Sequence, residues 1–186
     1  MNTTTADFLN ATNTLPAVGL FARQYETMEE VWNKCPRPDW MLWILDQLGK
    51  SPSEKELRLF ACWCARSTPI GGGRTTWDLI TDPRSRAAIE VAERFAVGEA
   101  SEEDRHTAYV AAWTVADNEG SSPSEAAAAW TVVPSMSTTV ADKVSYAAAW
   151  AAAHASPAGE TFMSLAHIAQ ANRLQEMVGN PFMRRR

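Results

Sequence analysis

Cysteine, histidine and glycine are scarce in this chain of 186 residues, and each shortage removes a class of protein. The three cysteines, Cys35, Cys62 and Cys64, are an odd number, which excludes a disulfide scaffold and reads as reduced thiols. With 9 Gly and 10 Pro the chain has neither the period of collagen nor the bias of a low-complexity tract. No window approaches the roughly 18 uncharged apolar residues of a membrane span. The first residues also lack a basic segment followed by an apolar run, so no secretory signal is expected and the chain is expected to act in the cytosol. Positive charge is in deficit too, the net charge being -5, which argues against general affinity for nucleic acid.

Helix formers are abundant instead. Alanine supplies 31 residues, of which 21 lie at or after Ala100, so the second half is built from the residue with the highest helix propensity and little side chain. Between His106 and Glu160 the only basic residue is Lys143, so most of that stretch must pack against something. From Glu54 to Arg105 charges recur at helical spacing, as in Glu90, Glu93 and Arg94, which marks solvated faces of amphipathic helices.

Helix starts are written clearly. In Ser51-Pro52-Ser53-Glu54 a capping hydroxyl at Ser51 precedes proline and a carboxylate, and Ser122-Pro123-Ser124-Glu125 repeats the pattern. Thr27 to Glu30, Ser101 to Asp104 and Asp82-Pro83 are further starts, while Gly49, Gly98, Gly120 and Gly179 follow apolar periodic runs as stops. Together they predict helices over roughly 27–34, 39–48, 52–66, 83–97, 102–118, 123–132, 138–154 and 160–178. No strand is predicted, because Pro134 truncates the one β-leaning triplet, Thr131-Val132-Val133. The expected fold is all-α, a compact array of seven or eight helices in a single domain over 1–186. Residues 1–25 and 180–186 read as extended or partner-ordered tails, and 67–81 as a loop with a glycine tip, Gly71-Gly72-Gly73.

Three segments end in Ala-Ala-Trp, at Trp113, Trp130 and Trp150, with Tyr109 and Tyr146 four residues before the first and last. Alanine admits close helix approach and the indole is expected to fill the groove left over, but the spacing is too irregular for a solenoid.

No constellation announces catalysis. Cys62 and Cys64 lie two apart on one helix and point about 200 degrees apart, so one metal cannot take both, and no zinc spacing or cofactor motif occurs. His106, His154 and His167 are candidate bases for a cysteine nucleophile, without any known catalytic order. The glycine tip lacks the Gly-Lys-Ser/Thr ending of a phosphate loop. Arg184, Arg185 and Arg186 form a basic tail able to touch phosphate or an acidic partner. Trp32, Trp40, Leu42 and Trp43, with Pro36 and Pro38, are expected to be mostly core, any exposed member being an interface anchor.

The run from Glu56 to Arg66, followed by Trp77-Asp78-Leu79-Ile80-Thr81-Asp82-Pro83-Arg84-Ser85-Arg86 and on to Glu103, resembles a family of small Ala-rich all-helical proteins of tailed bacteriophages and of some bacteria, notably planctomycetes. The Cys/Arg helix followed by the Asp-Pro-Arg helix is also similar to proteins assigned as immunity proteins of bacterial polymorphic toxin systems. The resemblance covers about Asp39 to Trp150, including Asp39-Trp40-Met41-Leu42-Trp43. It implies an all-helical fold and a phage or conflict-system context in a bacterial cell, and transfers no catalytic residue.

Read physically, Arg84, Arg86, Glu90 and Glu93 are spaced to pair along their helix or with Arg58 and Arg66 on its neighbour. Arg66, Asp82, Arg86 and Glu90, with Trp40 and Trp43, are the candidate binding residues. The expected function is a non-enzymatic helical interaction module, an inhibitor or adaptor that binds a bacterial protein. Its alternatives are a virion-associated or other self-assembling structural protein, homo-oligomeric, and a small Cys/His enzyme.

Overall fold

A computed structural model of the chain describes residues 3–116, 155 and 159–183. The architecture is all-α, with eight α-helices among the described residues. Two compact units divide the chain, Met1–Ser51 with Ala171–Arg186, and Pro52–Gln170.

In the first unit, α1 (Thr5–Ala11), α2 (Pro16–Ala22), α3 (Met28–Lys34) and α4 (Pro38–Gln47) surround the fully buried Trp32. Residues 1–25, expected as an extended or partner-ordered tail, therefore carry two helices. The local signals are a Thr4 hydroxyl that accepts from the Asp7 amide at 3.1 Å and Pro16 in the first turn of α2. Backbone pairing adds the rest, the Thr5 amide donating to the Glu26 carbonyl at 3.0 Å and Met28 to Thr3 at 3.1 Å. At α3 the reciprocal box of Thr27 and Glu30 forms as expected.

The last helix, α8 (Gly159–Val178), gives its residues from Ala171 onward to this unit. There Leu174 is buried, and the Gln175 side-chain amide donates to the Trp32 carbonyl at 2.8 Å, a second bond on an acceptor that the Cys35 amide also meets. Beyond it, Asn180 donates to Asn33 Oδ1 at 2.9 Å and Lys50 to the Pro181 carbonyl at 2.7 Å, while Phe182 meets Phe8 edge-on at 6.2 Å. Residues 180–183 are thus held within their own unit rather than extended.

The second unit contains α5 (Glu54–Ser67), α6 (Pro83–Ala96), α7 (Glu102–Ala116) and α8 up to Gln170. Helix α5 starts two residues later than expected. Ser53, not Ser51, is the cap, because Glu56 at the third helical position can return to the Ser53 amide at 2.8 Å. Asp82 and Ser101 cap α6 and α7 as expected. Cys62, Ala65, Ile80, Ala88, Ile89, Ala92 and Ala112 form the core, with small residues on α6 and α7. Segments expected as helices over 123–132 and 138–154, and the triplet at Thr131, lie outside the described residues.

The glycine-tipped loop is a correction to the expectation of no strand. Pro69–Gly71 (β1) and Arg74–Thr75 (β2) pair antiparallel, and a 3-10 turn, Thr76–Leu79, follows. Three consecutive glycines with positive φ turn the chain within a span too short for periodicity to reveal. Its base is fixed by fully buried polar groups: the Thr76 hydroxyl shares its proton between the Cys64 and Ala65 carbonyls at 2.9 and 2.8 Å, and Gln170 of α8 donates to the Thr68 hydroxyl at 3.0 Å. Ile70 and Ala166 pack beside them, with Phe162 of α8 against Gly71.

Gly71 and Gly72 separate two costs. Both have positive φ, but a methyl at 71 would lie 2.3 Å from Phe162 Cε1, whereas at 72 nothing lies within 4 Å. Denaturant unfolding is expected to show a loss of about 1 kcal/mol for Gly72→Ala and at least about 2 kcal/mol for Gly71→Ala.

Candidate functional site

The four polar residues singled out from sequence lie around α5 and α6 of the second unit, but they do not converge on one point. Arg66, in the last turn of α5, donates from Nε and Nη2 to the two carboxylate oxygens of Glu93 on α6, at 2.7 and 2.9 Å. Its guanidinium also lies 4.1 Å from the centre of the Trp77 ring. Arg86 approaches the same ring at 5.1 Å and donates to the Ile80 and Trp77 carbonyls at 2.7 and 3.3 Å. Trp77 is thus held by two cations, one braced by Glu93 and one tied to the backbone of the turn that presents it. Asp82 accepts from the Arg84 amide at 2.8 Å and pairs with the Arg84 side chain. Glu90 is exposed and acts on Arg66 through its charge.

The spacing argument left Glu90 and Glu93 both open as partners across α5 and α6, and the structure pairs Arg66 with Glu93. Glu90 and Glu93 both follow Arg86 at helical intervals, and only the rotation of α6 against α5 turns Glu93 to Arg66. Arg66 spends a bidentate edge on Glu93 and Arg86 spends two donors on carbonyls. A second aromatic, Phe95, takes the buried Arg58 at 4.8 Å and Arg105 at 5.6 Å.

In the first unit Trp40 and Trp43 are half-buried. Trp40 packs on Phe21 with centroids 5.6 Å apart and under Arg37, whose fork is held by Asp39 at 2.8 Å. Trp43 meets Phe8 edge-on at 6.2 Å. Among the described residues the exposed tryptophan is a different one: Trp113 of α7 is 44% exposed, with Val110 at 50% one turn before it. Its ring lies 6.1 Å from that of Tyr109 one turn before it, and Trp130 and Trp150 of the Ala-Ala-Trp pattern lie outside the described residues. Ala112 takes the inward position on the helix, which leaves the next residue facing out.

All three thiols are buried. Burial pushes Cys35 and Cys62 up to about 12 and Cys64 well above its ordinary value, so each stays protonated near neutrality. Cys35 donates to the Arg37 carbonyl at 3.4 Å. Of the candidate bases, His106 is exposed, His167 is buried and His154 lies outside the described residues. Among the described residues no group of three His, Cys, Asp or Glu is placed to hold a metal ion, and no helix is long and apolar enough to cross a membrane.

Compared with protein-family models, with curated proteins and with solved structures, the chain matches none.

Two outcomes follow from these charges and thiols. A disulfide reagent added to native protein should modify none of the three cysteines on the timescale that modifies all three in denaturant. A thiol reacting at the denatured rate contradicts the burial. Second, the Ser53 donors hold the Glu56 carboxyl below its ordinary 4.5, and the Arg84 side chain holds that of Asp82 below 3.8. The folded protein therefore binds fewer protons than the unfolded chain in acid. The stability contributed is present at neutral pH and lost as pH falls through and below that range. Ser53→Ala is expected to cost about 1 kcal/mol at pH 7 and distinctly less at about pH 3, measured by thermal unfolding.

Proposed function

We propose that the chain is a non-enzymatic helical interaction module of a phage or bacterial conflict system, an inhibitor or adaptor that binds a bacterial protein. The observation that carries this reading is the exposed pair Val110 and Trp113 on one face of α7. Large apolar side chains one helical turn apart, one of them an indole, match the anchors by which a helix holds a protein partner. Leu165 and Ile168 of α8, at 48% and 42% exposure, are a second pair at the same spacing. The polar chemistry supports the reading by being spent internally, since the arginines brace aromatics and the thiols are buried and protonated. The phage and immunity context rests on the sequence resemblance.

The test is capture from bacterial lysate on immobilised protein, in parallel with Trp113→Ala and with a variant altered on a remote charged face, Lys55→Gln. A stoichiometric partner retained by the chain and by Lys55→Gln is expected, with affinity reduced about 30-fold by Trp113→Ala, the equivalent of about 2 kcal/mol for an aromatic anchor. Absence of any stoichiometric partner, or equal retention by Trp113→Ala, overturns the reading.

A further inference from the structure

The α1 to α2 surface of the first unit lies apart in sequence from the residues that carry the proposed function, and it has an unusual composition. Pro16, Gly19, Leu20 and Arg23 recur at intervals of three and four residues and share one face of α2. Leu20 is 69% exposed and Leu15 47%, on a helix of only seven residues. They line a cleft of about 370 Å³ together with Leu9, Thr14, Gly19 and Arg23. A second cleft, of about 410 Å³, shares Leu9 and Arg23 with the first and adds Tyr25 and Glu26. Arg23 and Glu26 line this cleft together, yet their side chains form no ion pair with each other or with any other described residue. Elsewhere Arg37, Arg66, Arg84, Arg105 and Arg173 each hold a carboxylate.

An occupant of this surface must bring an apolar knob for the cleft, a hollow for Leu20, an anion for Arg23 and a cation for Glu26. The surface itself displays one of each. We infer that it is a self-association face, on which a second copy of this chain docks about a two-fold axis, Leu20 entering the partner's cleft and Arg23 pairing with the partner's Glu26. In such an isologous contact each complementary pair occurs twice, so two leucines are withdrawn from water and four unpaired charges are neutralised by one arrangement. An unrelated partner would have to match all four features without symmetry. This inference concerns the first unit alone and stands whether or not Trp113 anchors a partner.

Light scattering on the full chain over a concentration series tests it, with Leu20→Asp, Arg23→Glu, Glu26→Arg and the double reversal Arg23→Glu/Glu26→Arg compared. These side chains are exposed, and circular dichroism with thermal melting checks that each variant folds. The expected result is a mass rising from 20.4 kDa toward twice that value, with Leu20→Asp held at the single-chain mass. Each single reversal should weaken association about tenfold or more, and the double reversal should restore it to within about threefold. A single-chain mass at every concentration overturns the inference. So does a dimer indifferent to Leu20→Asp, or one whose single reversals the double reversal fails to rescue.

Discussion

The second unit depends on a polar node buried where an apolar core would be the simpler solution. Thr68, Thr76 and Gln170 are all fully buried, and their bonds join the end of α5, the turn before α6 and the middle of α8. Leaving one such group unpaired costs about 1–3 kcal/mol, so slipping any of these elements by a residue is penalised more sharply than an apolar contact would penalise it. The node therefore sets the position of the hairpin, the contact of Phe162 with Gly71, and the exit of Trp77 toward the two guanidiniums that hold it.

The first unit solves the same problem with chain ends. Four helices of seven to ten residues are too short to be stable alone and gain their stability from Trp32 and its neighbours. Gln175 and Asn180 arrive from far along the chain and hydrogen-bond to α3, and Phe182 packs edge-on against Phe8 of α1. Hydrogen bonds between residues more than 140 positions apart thus tie the end of the chain to α3.

The functional reading follows from where polar and apolar groups are spent. Arg66 and Arg86, candidate binding residues from sequence, both stack on Trp77, and Arg66 pairs with Glu93 across helices. Leu20, in a segment expected as a tail, and Trp113, expected against a helix groove, are exposed. Among the described residues the charges thus organise the fold, while several large apolar side chains stay exposed.

Much of the fold was legible from residues alone. Helix starts at Thr27, Asp82 and Ser101 and stops at Gly49, Gly98 and Gly179 hold to within a residue or two, because caps act over three or four positions and need no tertiary partner. The helices at 5–11 and 16–22 were signalled by Thr4 with Asp7 and by Pro16, yet each is too short for periodicity to stand out. The candidate site was only partly legible. Sequence paired α5 with α6 through Arg66 but could not choose between Glu90 and Glu93, nor foresee that Ala112 would take the inward position and leave Trp113 outside. By itself, the sequence determined the all-α class and most helix ends, both consequences of local backbone chemistry and helical period. Tertiary structure decided the β-hairpin, the Thr68, Thr76 and Gln170 node and the choice of exposed side chains, because each depends on the rotation of one element against another, which no local pattern encodes.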